Sequence, residues 1–428
     1  MKLLVGPISL LWTATAFAPN GWSTRKTLAL AGKNIVLQPS EDVARFDSMT
    51  IGTARVHRYA RAEDPESETE YVMWYHGRPK NFENDEKLPP LSTGRIGRAT
   101  SRNGLIWVKD ETGSASEDVG DVSLGLNKES WWSFDTAHVG LGQVLLPMST
   151  PAVMTEGGVY IMYYFGGSFE DAKVADFMEK VPEGFGDATI QGMKMKIGVA
   201  VSQDGMSWGR VEGDDPTGAC IVPYDKKDPN TQFDTIPENV EEELYCGWPE
   251  VAVNLDGAAS ESFLMFYSTM TKEGKEKCIG HAVSEDGFRW YKKGISIRPD
   301  KTGLDAGGCA RCCVLRDATY ADGEWKEAKG WTMHYEGVSP EDGKHRILKA
   351  TSSDGKTWKK EGLELDVGES DDWDCNGVGS PSILRLDDGS LRMYYTGQGQ
   401  DGSTAVGVAK LSPGESAWVR EQATISIA

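Results

Sequence analysis

One phrase occurs five times in this chain, and it limits the fold more than any other feature. The copies are IGRATSRNGLIW (96–107), IGVAVSQDGMSW (197–208), IGHAVSEDGFRW (279–290) and ILKATSSDGKTW (347–358), with a looser fifth, VGVAKLSPGESAW (406–418). Asn-Gly or Asp-Gly between alternating runs is the strongest short-range hairpin signal, because both turn residues tolerate positive φ. Each copy reads as two strands joined by a tight turn, followed by a Trp placed to pack on the sheet.

A second phrase precedes each hairpin: YVMWYHG (71–77), YIMYYFGG (160–167), FLMFYST (263–269), WTMHYEG (331–337) and LRMYYTG (391–397). Its aromatic and β-branched content reads as a strand covered on both faces. Before it comes a third, short and apolar: IGTARVHR, MSTPAVM, CGWPEVAV, GCARCCVL and VGSPSILR. Three phrases make four strands per unit, and a four-stranded unit repeated radially is a propeller blade. The expected fold is all-β, a five-bladed β-propeller of four-stranded antiparallel blades. Blades cannot bury their faces alone, so residues 34–428 are read as one closed domain. First and last blades meet by side-chain packing, unless NIVLQ (34–38) adds a strand across the seam.

The formal net charge of −20 is interspersed with Lys and Arg, a solvated surface without the basic footprint that nucleic acid requires. Seven cysteines are present, four of them Cys309, Cys312, Cys313 and Cys375. CARCC has no second ligand pair for zinc, and adjacent Cys312 and Cys313 on a strand point to opposite faces. A buried, reduced role is expected. Phosphate-loop, nucleophile-elbow, HExxH and calcium-loop patterns are absent from the sequence, so neither metal nor cofactor is expected.

Residues 1–33 open with one Lys and a short, interrupted apolar run, a signal-peptide layout rather than a membrane anchor. ATAFAP (14–19) resembles the ASAFAP motif of plastid-targeted proteins in diatoms and related algae. By that resemblance cleavage falls before Phe17. The acid-free, basic stretch through Lys33 is transit-like, so a plastid (chloroplast) destination is expected, with secretion as the alternative.

Phrases such as VGSPSILRLDDGSLRMYYTG and IGHAVSEDGFRWYKKG resemble the five-bladed propeller glycosidase superfamily of arabinanases, β-xylosidases, invertases and levansucrases. The resemblance implies an active site in the axial funnel, with one acidic residue from the innermost strand of each of blades one to three. It would place them at Thr53, Thr150 and Gly247, none of which is acidic. Strand alternation offers Glu250 of GWPEV as a substitute acid, with equivalents Arg55, Ala152, Arg311 and Ser382 and with His57 on the Arg55 face. These charges read either as an Arg–Glu–Arg network closing the axis or as a polar-ligand site.

A second acidic series, one per blade, comprises Asp47, Asp135, Asp234, Asp305 and Asp374, and its repetition suits a structural task. Glu250, Asp47 and Asp135 are the catalytic candidates. Arg55, His57, His138, Tyr245, Trp248, Arg311 and Ser382 are the substrate-binding candidates. The two functional readings are a glycosidase-like enzyme, and an inactive propeller binding a sugar, a polar lipid headgroup or a protein in the plastid.

Overall fold

The computed structural model describes residues 34–59, 70–80, 94–111, 120–145, 159–178, 186–228 and 240–422. The presequence expectation for residues 1–33 lies outside them. Blade one comprises Thr50–Tyr59, Glu70–Arg78, Arg95–Ser101 and Val108–Lys109. Blade two comprises His138–Leu145, Tyr160–Gly167, Lys196–Ser202 and Gly209–Val211. Blade three comprises Glu243–Val253, Phe263–Thr271, Lys277–Ser284 and Tyr291–Ile297. Blade four comprises Cys309–Ala321, Glu324–Val338, His345–Ser352 and Lys359–Leu365. Blade five comprises Gly377–Arg385, Leu391–Gln398, Thr404–Leu411 and Val419–Arg420. Within every blade, successive strands pair antiparallel, as the three repeated phrases require.

The innermost strand of blade two corrects the sequence reading. It is His138–Leu145, not the stretch beginning MSTPAVM. Residues 146–158, with Thr150 and Ala152, lie outside the described residues. The Pro of MSTPAVM imitated the Pro of GWPEV and GSPSI, whereas the strand actually used has no proline.

The seam is closed by the chain ends. Ile35–Leu37 pairs with the third strand of blade five through Ile35↔Gly407 and Leu37↔Val406. Further along the same strand, Arg420 and Val419 pair with Ala409 and Lys410. N- and C-terminal segments thus share the outer edge of one blade, and NIVLQ does cross the seam.

The apolar core is divided into five clusters, each between neighbouring blades. Cys312 packs with the cluster between blades three and four, and Cys313 with that between blades four and five, the opposite faces anticipated from alternation. All seven cysteines are free, and all but Cys220 are buried. The hairpin turns add polar stitches between blades. In the blade-two turn, Ser202 Oγ accepts from Gly205 N at 2.8 Å, and Asp204 Oδ1 from Met206 N and Ser207 N, both at 2.8 Å. This fixes the left-handed Gly205, φ 69°, and its carbonyl accepts from Trp74 Nε1 of blade one at 2.8 Å. Tyr163 of blade two reaches Gly287 O of blade three in the same way, at 3.0 Å, and Tyr394 of blade five reaches Gly104 O of blade one at 2.9 Å.

The acidic series forms a second repeated device. Asp47 accepts from Tyr75 Oη at 2.9 Å and Lys109 Nζ at 2.5 Å. Asp135 accepts from Tyr164 Oη at 2.9 Å, Arg210 Nε at 2.6 Å and Ser133 Oγ at 2.6 Å. Asp305 joins Tyr335 and Lys360, and Asp374 joins Tyr395 and Arg420. In blade three, where Asp234 lies outside the described residues, Glu243 takes the post, with Tyr267 and Lys292. In each blade a buried carboxylate therefore ties the tyrosine at the fifth position of the second phrase to a cation from the fourth strand.

Candidate functional site

Each innermost strand carries a bulge three residues into its axial stretch. Register skips between Gly52 and Arg55, Leu141 and Gln143, Gly247 and Glu250, Ala310 and Cys312, and Gly379 and Ser382. In four blades the bulge holds a non-glycine residue at positive φ: Thr53 (47°), Trp248 (47°), Arg311 (38°) and Ser380 (48°). That conformation is costly for residues with a Cβ, and its recurrence round one axis shows that the surrounding structure enforces it. Bulges re-aim strand groups, and here they turn backbone carbonyls toward the axis.

Arg55 collects those carbonyls. Its Nε donates to Gly142 O at 2.5 Å, Nη1 to Pro381 O at 2.6 Å and Nη2 to Cys312 O at 3.1 Å. Nη2 also lies 3.1 Å from Glu250 Oε2. One guanidinium of blade one thus contacts blades two, three, four and five. Glu250 is completed by Gln143 Nε2 at 3.1 Å and Val314 N at 2.9 Å. Burial raises its pKa, against the pull of Arg55. Arg55 and Glu250 are only 3% and 1% exposed, so together they seal the axis.

Above this pair a small pocket, about 50 Å³ in volume, opens to solvent. Hydroxyls line one side, from Thr50, Thr53, Ser380 and Thr396. Two imidazoles, His76 and His138, and two guanidinium groups, Arg78 and Arg311, line another, with Phe165 and Trp248 as the aromatic wall. Thr404, also in the lining, is bonded to the first strand of blade one: its Oγ1 donates to Ile51 O at 2.7 Å. No carboxylate lines the pocket among the described residues.

The cations differ in their compensation. Arg311 stacks on Trp248, 4.8 Å from the ring centroid, and lies 3.3 Å from Glu336, which His345 also contacts at 2.5 Å. Arg78 is 2% exposed and donates from Nε to Thr50 Oγ1 at 3.1 Å, while its Nη1 meets no acceptor among the described residues. Burial alone pulls its pKa to about 10, with no carboxylate opposing the shift. His76 is lowered to about 3 by burial and then by Arg78, His138, Arg311 and Arg95. His138 is lowered to about 4, again mainly by burial, and hydrogen-bonds Gly192 O at 2.8 Å. At neutral pH both rings are neutral in a positive field.

Of the residues singled out in the sequence, His138, Trp248 and Arg311 meet in the funnel. Arg55 and Glu250 lie on the axis beneath it. Ser382, at the same level, accepts from Val56 N at 3.4 Å. His57 ties blade one to Val144 O of blade two at 2.8 Å, and Tyr245 packs beside the cluster between blades two and three. Asp47 and Asp135 are fully buried in the blade posts, and neither lines the funnel. Two register equivalences also change. Opposite the fourth residue of the second phrase stand Arg55, Gln143, Glu250, Cys313 and Ser382. Blade two therefore contributes Gln143 in place of Ala152, and blade four Cys313 in place of Arg311, because Arg311 occupies the bulge one step nearer the solvent.

His76 and Arg78 were not anticipated. A signal for His76 was present at the sixth residue of the second phrase: His76, Phe165, Ser268, Glu336 and Thr396 differ while their neighbours repeat. Three of these positions cap the bulge of the following blade. Ser268 Oγ accepts from Arg311 N at 2.9 Å, Glu336 Oε2 from Ser380 N at 3.1 Å and Thr396 Oγ1 from Thr53 N at 2.9 Å.

Two Mycobacterium tuberculosis proteins align with the chain over 325 residues, 74% of its length and 86% of theirs. They are the uncharacterized proteins MT1551, at 34% identity, and Rv1502, at 33%. The chain belongs to their family. No family model matches it. Among solved structures, a glycoside hydrolase superposes with a TM-score of 0.56 at 17% identity, covering 91% of this chain and 93% of that one. A glycosyl hydrolase from Bacteroides ovatus gives 0.54 at 14%, covering 95% and 97%. A structure described within the GH130 family of mannoside phosphorylases, which contains glycoside hydrolases, gives 0.54 at 13%, covering 94% and 99%. At these identities the likeness carries the fold, that of five-bladed propeller glycoside hydrolases, and not the reaction.

Proposed function

We propose that this chain is a carbohydrate-binding propeller whose axial funnel holds a sugar without hydrolysing it through a carboxylate pair. The observation that carries this reading is the funnel lining itself: hydroxyls, imidazoles, guanidinium groups and an aromatic wall, with no carboxylate among the described residues. Two-carboxylate hydrolysis needs acidic groups about 5–9.5 Å apart on either side of the anomeric carbon. Glu250 is sealed under Arg55, and Asp47 and Asp135 are held in the blade posts. The aromatic wall suits a sugar face, and the threonine and serine hydroxyls suit its hydroxyl groups. Fold likeness to glycoside hydrolases supports carbohydrate as the ligand class.

The hydrolytic reading is favoured by one feature, the buried Glu336 behind the funnel wall, in contact with Arg311 and Ser380. The test is incubation of the full chain with aryl arabinosides, xylosides, fructosides and galactosides, alongside calorimetric titration with free sugars. Binding without aryl release is expected. Release that disappears in Glu336→Gln would replace this reading with hydrolysis, and release that disappears in Glu250→Gln would restore Glu250 as the acid. For location, we propose that residues 1–33 direct the protein to a plastid. A fluorescent protein fused to them should reach the plastid, and Phe17→Ala should divert it.

A further inference from the structure

We propose that the funnel contains an oxyanion subsite centred on Arg78, so that the sugar it receives is an acidic one, carrying a carboxylate or a phosphate. This rests on the carbohydrate reading above for the sugar and on separate observations for the anion.

Arg78 is 2% exposed, lines the funnel, and among the described residues has one hydrogen bond, to a neutral threonine, with Nη1 unmatched. A buried cation without a carboxylate partner carries a desolvation penalty that no carboxylate among the described residues offsets here. Other buried cations of this propeller are compensated: Arg55 by Glu250, Lys292 by Glu243 and Arg311 by Glu336. Arg78 departs from the rule at the place where the molecule opens to solvent.

The surroundings agree. Arg311 and Arg95 add positive charge, and burial with that charge keeps His76 neutral, so its single N–H can be given to an anion, whereas His138 gives its N–H to Gly192 O. The guanidinium fork matches a planar carboxylate or a phosphate face bidentately. Thr50, bonded to Arg78, holds the fork in place. Carboxylate and phosphate offer the same oxyanion chemistry, and the experiment separates them.

The full chain would be titrated calorimetrically with glucose, galactose and mannose, with the matching uronic acids and 6-phosphates, and with inorganic phosphate alone. The acidic form of whichever sugar binds should exceed its neutral parent by roughly 10- to 100-fold, the range for hydrogen bonding to a charged group. Arg78→Met should erase that preference, so that acidic and neutral forms bind the variant equally, and Arg78→Lys should retain part of it. In the empty protein Arg78→Met should be at least as thermostable as the parent, which a structural arginine would not allow. Equal affinity for acidic and neutral sugars would overturn the subsite and leave the carbohydrate reading standing, as would a preference that persists in Arg78→Met. Binding of inorganic phosphate as tight as that of every sugar phosphate, with no neutral sugar bound, would overturn the carbohydrate reading and leave the subsite standing. Failure of every sugar and every anion to bind would overturn both.

Discussion

Replacing Arg55 by Met should be among the most damaging single changes to stability in this protein. The side chain is 3% exposed and makes three hydrogen bonds to carbonyls of blades two, four and five, besides its ion pair with Glu250. Breaking a buried ion pair from one side costs about 3–5 kcal/mol, and the deserted carbonyls add about 1–3 kcal/mol each where water cannot reach them. A loss of about 5 kcal/mol is expected, since Glu250 limits the damage by taking up a proton. Glu250→Gln should be milder, about 1–3 kcal/mol, because Arg55 keeps its three carbonyls and glutamine can still accept from Val314 N. The double variant should be less destabilised than the sum of the two, with a coupling of about 1–3 kcal/mol. Urea unfolding followed by tryptophan fluorescence would give the four stabilities. Strict additivity, or an Arg55→Met variant within 1 kcal/mol of the parent, would refute the idea of an axial plug.

Other outcomes follow from the same geometry. Asp135→Asn should cost about 1–3 kcal/mol, as expected for a lost charged hydrogen-bond acceptor, yet leave ligand affinity of the folded protein unchanged by calorimetry. Ile35→Ala, at a fully buried position on the closing strand, should cost about 2–5 kcal/mol, against less than about 0.5 kcal/mol for exposed Val43→Ala. Stability should fall as pH drops from about 6.5 toward 4. Burial lowers His57, His138 and His281 to about 4, and His76 and His334 to about 3. The unfolded chain then binds more protons across that window, and each such group contributes up to about 1.4 kcal/mol per pH unit. A urea midpoint unchanged between pH 7 and 5 would contradict this assignment.

Blade number and strand order were legible because the same three phrases recur, and each supplies its own turn chemistry and strand pattern. Period-two alternation also brought Arg55 and Glu250 to one level of the axis. It failed at Arg311, because a bulge adds a residue that alternation does not count, so Cys313 stands where Arg311 was expected. In blade two the proline of MSTPAVM points to a segment other than the innermost strand, His138–Leu145. The better marker was the acidic post: Asp47, Asp135 and Asp374 each lie three residues before Thr50, His138 and Gly377, where the innermost strands begin. Arg78 escaped notice for a physical reason. Its significance is that no carboxylate pairs with it among the described residues, and that is a property of three-dimensional surroundings that spacing along the chain does not encode.

The most direct measurement of this account is a structure of the full chain with a uronic acid or sugar phosphate bound. The sugar should lie in the axial funnel against Phe165 and Trp248, with its anionic oxygens within hydrogen-bonding distance of the Arg78 guanidinium. A ligand seated elsewhere on the propeller, or one in the funnel with its charge turned out to solvent, would contradict it.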